Sequence, residues 1–174
     1  MSEVCTIKRG VRVTRDKLMA DGEFPVFQNS LTPLGYHDKY NRKGDRTYVI
    51  CAGAAGDIGY SRDCFWAADD CFTIETDVLN NKYIYHFLLI NKHVLKNKVR
   101  KASVPRLSAA DIGKLIIPIP PLAEQGRIVS ILDKFETLVS DLSQGLPAEI
   151  AAVQEQYEYY RNRLLSFHKY KLSA

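Results

Sequence analysis

The chain has 174 residues, of which 46% are apolar and 25% charged, and its formal net charge is +4. That is enough apolar material for a packed core, which excludes a globally disordered polymer. No apolar run approaches the roughly 20 residues needed to span a bilayer, and Met1-Ser2-Glu3-Val4-Cys5-Thr6 lacks the apolar stretch of a secretory signal, so a cytoplasmic protein without membrane association is expected.

The expected fold class is α+β: a compact mixed domain with β-sheet and small helices over residues 1–121, then a long C-terminal helical, coiled-coil arm over 122–174. Short β-rich segments fall near 4–13, 24–28, 47–52, 64–67 and 71–76, each bounded by Gly, Asp or Asn. Tyr48-Val49-Ile50-Cys51-Ala52 and Cys71-Phe72-Thr73-Ile74-Glu75-Thr76 are the clearest. Between them, Gly53-Ala54-Ala55-Gly56-Asp57-Ile58-Gly59 reads as a tight turn joining two strands, with glycine supplying positive φ. Its G-x-x-G-x-x-G spacing differs from the dinucleotide fingerprint, and no Walker motif is present. Tyr83, Ile84, Phe87, Leu88 and Val94 recur at helical spacing and predict one amphipathic helix over 81–96. Ser108 reads as an N-cap, with Asp111 at the third helical position. Leu115-Ile116-Ile117-Pro118-Ile119-Pro120 reads as a strand before Pro121.

After Pro121 the period changes. Ile128, Leu132, Phe135, Val139 and Leu142 are spaced 4, 3, 4, 3, and Leu146, Ile150, Val153, Tyr157, Tyr160, Leu164 and Phe167 continue with 4, 3, 4, 3, 4, 3. This is a heptad seam. It carries a stutter at Gly145-Leu146-Pro147, where the arm either kinks or divides into two helices. Unbroken, some 45 residues would reach roughly 65–70 Å. So long an apolar stripe needs a partner helix. The interface expected from this seam comprises Ile128, Leu132, Phe135, Val139, Leu142, Ile150, Val153, Tyr157, Tyr160 and Leu164.

Charge is unevenly placed. Residues 1–121 hold 18 Lys and Arg against 13 Asp and Glu, while residues 122–174 hold 6 against 7. Residues 78–110 contain Lys82, Lys92, Lys96, Lys98, Arg100, Lys101 and Arg106 and no acid. An acid-free run of that length suits a polyanion, since each phosphate contact releases counterions. Amides and aromatics interleave with basic residues at Gln28-Asn29-Ser30, Tyr36-His37, Lys39-Tyr40-Asn41-Arg42 and Ser103-Val104-Pro105-Arg106, and Arg, Lys, Asn and Gln are the residues that read base edges. The expected DNA-contacting set is therefore Gln28, Asn29, Ser30, Tyr36, Lys39, Arg42, Lys98, Arg100, Lys101, Ser103 and Arg106.

Signals of catalysis are missing from the sequence. Cys5, Cys51, Cys64 and Cys71 match no C-x2-C metal pattern and read as buried free thiols in strands. His37, His86, His93 and His168 show no ligand spacing. Asp69-Asp70 is a lone doublet, no Ser/His/Asp arrangement stands out, and an Asn/Asp-Pro-Pro-aromatic methyltransferase motif is absent. No catalytic residue and no metal site are expected.

Leu115-Ile116-Ile117-Pro118-Ile119-Pro120-Pro121-Leu122-Ala123-Glu124-Gln125, followed by Arg127-Ile128-Val129-Ser130-Ile131-Leu132-Asp133-Lys134-Phe135, resembles the start of the conserved helical region in specificity subunits of type I restriction–modification enzymes. Leu142 to Ile150 and Gln156 to Leu165 are similar to the same region in the IC-like branch. The resemblance covers roughly residues 103–168. Residues 1–102 share only layout: a strand with Lys8-Arg9-Gly10, a Pro25-Val26-Phe27-Gln28 segment and the Gly53…Ile58-Gly59 turn. The family resembles two tandem copies of a domain-plus-helix unit, and this chain matches one, a half form. The resemblance implies a non-catalytic unit that recognises double-stranded DNA and docks methyltransferase (modification) subunits and, through them, the restriction subunit. S-adenosylmethionine and ATP/Mg are then expected only in those partners, and this chain is expected to bind no cofactor. A single unit with an uncovered seam is expected to form a homodimer reading an inverted repeat. The competing reading is a helical assembly scaffold or anti-restriction decoy that binds methyltransferase subunits without reading DNA.

Overall fold

The computed structural model describes residues 1–135, 137 and 155–156. Seven strands form two sheets. β1 (Thr6–Arg9), β4 (Arg46–Ile50), β5 (Ile58–Ser61) and β7 (Cys71–Glu75) make a four-stranded sheet in the order β1-β7-β4-β5, all neighbours antiparallel. β2 (Phe24–Phe27), β3 (Gly35–His37) and β6 (Trp66–Ala67) make a smaller sheet in the order β3-β2-β6. Three short helices follow, α1 (Asn81–Ile90), α2 (Lys92–Lys98) and α3 (Ala109–Gly113), and the chain is again helical from 122 to 135.

The alternation within β4 and β7 explains the layering. Successive strand residues face opposite ways. Val49, Phe72 and Ile74 face one side and join Ile58, Tyr83, Ile84, Leu88, Leu95 and Ile112 in the main core. Tyr48, Ile50 and Cys71 face the other side and pack with Phe27, Phe65 and Ala67 of the small-sheet layer. The central strands are thus covered twice, by helices on one side and by the second sheet on the other. Phe27 stacks on Tyr48 with centroids 4.7 Å apart. The Tyr48 ring also lies across its strand partner Gly59, where a Cβ would come within 2.2 Å of the ring. A side chain at Gly59 would therefore displace the aromatic layer.

Several expectations change. The helix expected over 81–96 is two helices. The Asn91 side-chain amide donates to the Phe87 carbonyl at 2.9 Å, and the Asn91 carbonyl accepts from the Val94 and Leu95 N–H groups, so one residue ends α1 and starts α2. No strand forms over 115–120, which pairs with neither sheet, because prolines at 118 and 120 remove ladder donors. β3 and β5 were not among the expected segments, and β5 begins inside the glycine-rich run. Cys5, Cys51 and Cys71 are buried free thiols, but only Cys71 lies in a strand, and Cys64 is half-exposed in a loop. Burial pushes the Cys5, Cys51 and Cys71 thiols above their ordinary range, which makes them poor nucleophiles. The Ser108 cap forms as expected, its hydroxyl accepting from the Asp111 N–H at 3.1 Å and donating to the Asp111 carboxylate at 2.6 Å.

The chain divides into two compact units, Met1–Ser130 and Ile131–Ala174. The first unit extends beyond Pro121 because Gln125 is fully buried and Ile128 and Val129 pack against the main core. The Gln125 side chain accepts from the Asn80 N–H at 2.8 Å and donates to the Pro120 carbonyl at 2.8 Å. Asn80 is itself the N-cap of α1, its side chain accepting from the Lys82 and Tyr83 N–H groups. The Tyr83 hydroxyl donates to the Pro118 carbonyl at 3.1 Å. One glutamine and one tyrosine thus tie the proline segment to the start of α1. In the second unit Leu132 is half-buried and Phe135 exposed. Val139, Leu142, Ile150, Val153, Tyr157, Tyr160 and Leu164 of the expected seam, and its Gly145-Leu146-Pro147 stutter, lie outside the described residues.

Candidate nucleic-acid interface

Three segments meet at one end of the four-stranded sheet. After β4 the chain turns at Gly53 and Gly56, both at positive φ (78° and 87°). The turn is closed by the Gly56 N–H donating to the Ile50 carbonyl at 2.8 Å. The expected glycine turn is therefore present, and its conformation requires residues without a Cβ penalty. Gly53 also lets the 28–30 loop close in: the Ala54 N–H donates to the Asn29 carbonyl at 2.9 Å, and a Cβ on Gly53 would stand 2.9 Å from that carbonyl. The third segment is the tight hairpin 100–106. The Arg100 N–H donates to the Arg106 carbonyl at 2.8 Å and the Arg106 N–H returns to the Arg100 carbonyl at 3.3 Å. The hairpin docks through an Ala52↔Arg106 bridge and through the Leu107 N–H donating to the Cys51 carbonyl at 2.9 Å.

This assembly brings together most of the residues singled out in the sequence. Lys98, at the end of α2, and Arg100, Lys101, Ser103 and Arg106 are all exposed on or beside the hairpin. Asn29 is exposed, and Gln28 and Ser30 are half-exposed, on the adjoining loop. Tyr36 and Lys39 sit elsewhere, in and just after β3 of the small sheet. Tyr36 lies opposite Pro25, and the Lys39 N–H donates to Nδ1 of the buried His37, which stacks on Trp66. Both side chains are exposed, and no hydrogen bond or ion pair among the described residues joins them to the hairpin.

Arg42 is placed differently from the rest. Its guanidinium donates to Thr73 Oγ1 at 2.7 Å, to the Asn41 carbonyl at 2.8 Å and to the Arg9 carbonyl at 3.0 Å. With its donors engaged inside the domain it acts as a cross-link between β1, β7 and the 41–42 segment. Ile128 is a second reassignment: it packs on the core of its own domain, because the start of the arm helix is held there by Gln125.

The acid-free stretch is also less free than its sequence suggests. Lys92 and Lys96 both reach Asp57 of the glycine turn, at 3.0 and 2.9 Å. Burial alone would raise the Asp57 carboxyl. The hydrogen bonds and charges of Lys96 and Lys92 outweigh it and hold the group below the usual carboxylate range. The local excess of basic side chains therefore concentrates on the 98–106 segment. Asp57, Gln125 and Arg9 were missed at the sequence level. Each had a signal: Arg9 stands beside Gly10 at the end of a strand, Asp57 lies in the glycine run and Gln125 ends the Leu115–Gln125 motif.

No three His, Cys, Asp or Glu side chains form a metal-ligand set among the described residues, and no described helix is long and apolar enough to cross a membrane. What the assembly offers is an exposed basic hairpin, an amide-bearing loop beside it and a hydrogen-bonded glycine turn against that loop.

The type I restriction modification DNA specificity domain matches residues 1–152. The chain is 40% identical over 189 residues to a Haemophilus influenzae protein provisionally named a type I restriction enzyme specificity subunit, covering 96% of this chain and 47% of that one. It is 32% identical over 173 residues to the type I restriction enzyme MpnII specificity subunit of Mycoplasma pneumoniae, covering 96% and 52%. The chain thus spans about half the length of these relatives. Its fold is that of the S subunit of a type I restriction–modification system from M. genitalium, with a TM-score of 0.73 at 18% identity over 95% of this chain and 45% of the other. With the domain matching most of its length and relatives of one kind matching nearly all of it, the chain belongs to the type I restriction–modification DNA specificity family.

Proposed function

We propose that this chain is a sequence-specific DNA-recognition unit of a type I restriction–modification system, catalytically inert by itself. The observation that carries the reading is the exposed hairpin bearing Arg100, Lys101, Ser103 and Arg106, with Lys98 at the adjoining end of α2, beside the Gln28–Ser30 loop. Basic groups of this kind neutralise phosphates, and amides can pair with base edges. In this reading Gln28, Asn29 and Ser30 face the bases. Tyr36 and Lys39 form a second, smaller contact on the β3 side. Arg42 supports the domain from within.

The unit would direct methyltransferase subunits, and through them the restriction subunit, to a bipartite site. S-adenosylmethionine and ATP/Mg would be held by those partners. The heptad spacing of the arm and the exposed Phe135 support pairing with a second copy, and two units related by a two-fold would read an inverted repeat. The proposal places the chain in the cytoplasm, with the DNA.

Binding of duplex DNA by the purified chain, followed across a salt titration, tests the reading. A steep fall of affinity with salt is expected. A flat response at low affinity would favour a scaffold that engages methyltransferase subunits without DNA. Methylation sequencing with the cognate methyltransferase would give the target and its symmetry, and a target lacking inverted symmetry would sink the homodimer. Changing Phe135 and Tyr157 together to Asp should convert a dimer to a monomer in sedimentation, and a double variant that stays dimeric would refute the seam.

A further inference from the structure

The end of the four-stranded sheet carries a cleft of about 350 Å³ whose floor is Cys51, Phe72 and Leu107 and whose walls include Arg9, Arg100 and Arg106. Arg100 and Arg106 are direct cross-strand partners in the hairpin. Like charges placed opposite one another on a ladder are destabilising, and no acid forms an ion pair with either among the described residues. Arg9 enters from the far side of the cleft at the end of β1, opposite Phe72. Its Nε donates to the Asp69 carbonyl at 2.7 Å, which fixes the stem of the guanidinium. Its main-chain carbonyl accepts from Arg42, which fixes the strand end. Burial and Asp70 push the Cys51 thiol up, and the positive charges of Arg9 and Arg106 both act on it in the opposite direction. The acid at the rim, Asp111, is already engaged by Ser108 at 2.6 Å and Lys114 at 3.6 Å. Three arginines thus line one cleft, and none of them is ion-paired to a carboxylate among the described residues.

We propose that Arg9, Arg100 and Arg106 clamp one phosphate of the DNA backbone, making this cleft the positioning contact that sets the register of the duplex against the Gln28–Ser30 loop. The inference rests on the DNA-binding reading above and deepens it. Guanidinium groups suit a phosphate because their planar donor forks match its oxygens. A phosphate contact carries no sequence information, so the cleft contributes affinity and orientation and leaves discrimination to the loop.

The test uses the full chain and two duplexes of unrelated sequence, with binding followed by fluorescence anisotropy from low to physiological salt. The triple variant Arg9→Gln, Arg100→Gln and Arg106→Gln should weaken binding to both duplexes alike. It should also lower the magnitude of the slope of log affinity against log salt by about 1. The charge-keeping triple Arg→Lys variant should retain the slope, which separates loss of a phosphate contact from loss of the fold. Lys17→Gln, on an exposed turn outside the cleft, should change neither. A wild-type chain that binds with a steep slope, together with a Gln triple variant that keeps that slope and affinity, would overturn the clamp while leaving the DNA reading intact. A loss confined to one duplex would overturn it in favour of base reading. A wild-type chain with no salt-dependent binding would overturn both proposals.

Discussion

Replacing Gln125 by Leu keeps nearly the same volume in the core and removes both of its hydrogen bonds. The side chain is fully buried, so water has little room to replace it between the two partners. One orphan is the N–H of Asn80, the cap of α1. An unpaired buried donor costs about 1–3 kcal/mol. The other orphan, the Pro120 carbonyl, belongs to a half-exposed residue and recovers part of its loss from solvent. Removing a buried amide gives back some desolvation, and the net loss expected is about 2–3 kcal/mol. Gln125→Ala should cost more, because it also leaves a cavity. Gln125→Glu supplies a sharper readout. A protonated acid can still accept from Asn80 and donate to Pro120, whereas the carboxylate is a buried charge facing a carbonyl. Its folded pKa is therefore raised above the ordinary value of about 4.3. The stability of this variant should be near wild type below that value and fall as pH rises through the raised folded value. Urea melts at pH 4.5 and 7.5 measure all of this, the midpoint moving at constant m if only stability changes. A Gln125→Leu variant within about 0.5 kcal/mol of wild type, a scatter typical of surface sites, would refute the reasoning. So would a Gln125→Glu deficit that is the same at both pH values.

Three further outcomes follow from the same packing. Gly59→Ala drives a methyl to within 2.2 Å of the Tyr48 ring and should lower the unfolding free energy by about 2–3 kcal/mol, read as a shifted urea midpoint; an unchanged midpoint would mean the aromatic layer is loose. Asp57→Asn releases Lys92 and Lys96 and should cost about 1 kcal/mol at neutral pH. Because the Asp57 carboxyl is held low in the folded state, its contribution is complete above the unfolded value of about 4 and disappears as pH falls through the folded value. Wild type and variant should therefore converge in acid. Arg42→Ala removes three donors from inside the domain and should cost about 2–4 kcal/mol, while the salt slope of DNA binding, taken where the variant is still folded, stays unchanged. A stable Arg42→Ala protein with a reduced slope would return that residue to the interface.

What the sequence determined by itself are the features that repeat along the chain. The β-rich runs Tyr48–Ala52 and Cys71–Thr76, bounded by Gly, Asp or Asn, located the two central strands, because β-branched and aromatic residues suit a pleated, buried surface. The glycine spacing located the turn, since positive φ excludes most other residues, and Ser108 with Asp111 located a cap. The change to a 4-3 period after Pro121, with Ile-Pro-x-Pro-Pro-Leu-x-Glu-Gln ahead of it, carried the family. The tertiary structure decided whatever depends on a partner distant in the chain. Lys92 and Lys96 belong to a basic stretch in sequence, but Asp57 lies more than 30 residues earlier and takes both. Arg42 looks like Arg106 on paper, yet the carbonyls of Arg9 and Asn41 and the hydroxyl of Thr73 are in place to absorb its donors. Ile128 fits a heptad, but Gln125 holds that turn of helix against the domain core. Arg9 and the hairpin arginines are separated by about 90 residues and share one cleft only because β1 pairs with β7 while the hairpin docks on the end of β4. Periodicity is local, and the backbone enforces it wherever it occurs. Whether a charge is neutralised or left for a ligand is settled by what strand pairing brings beside it.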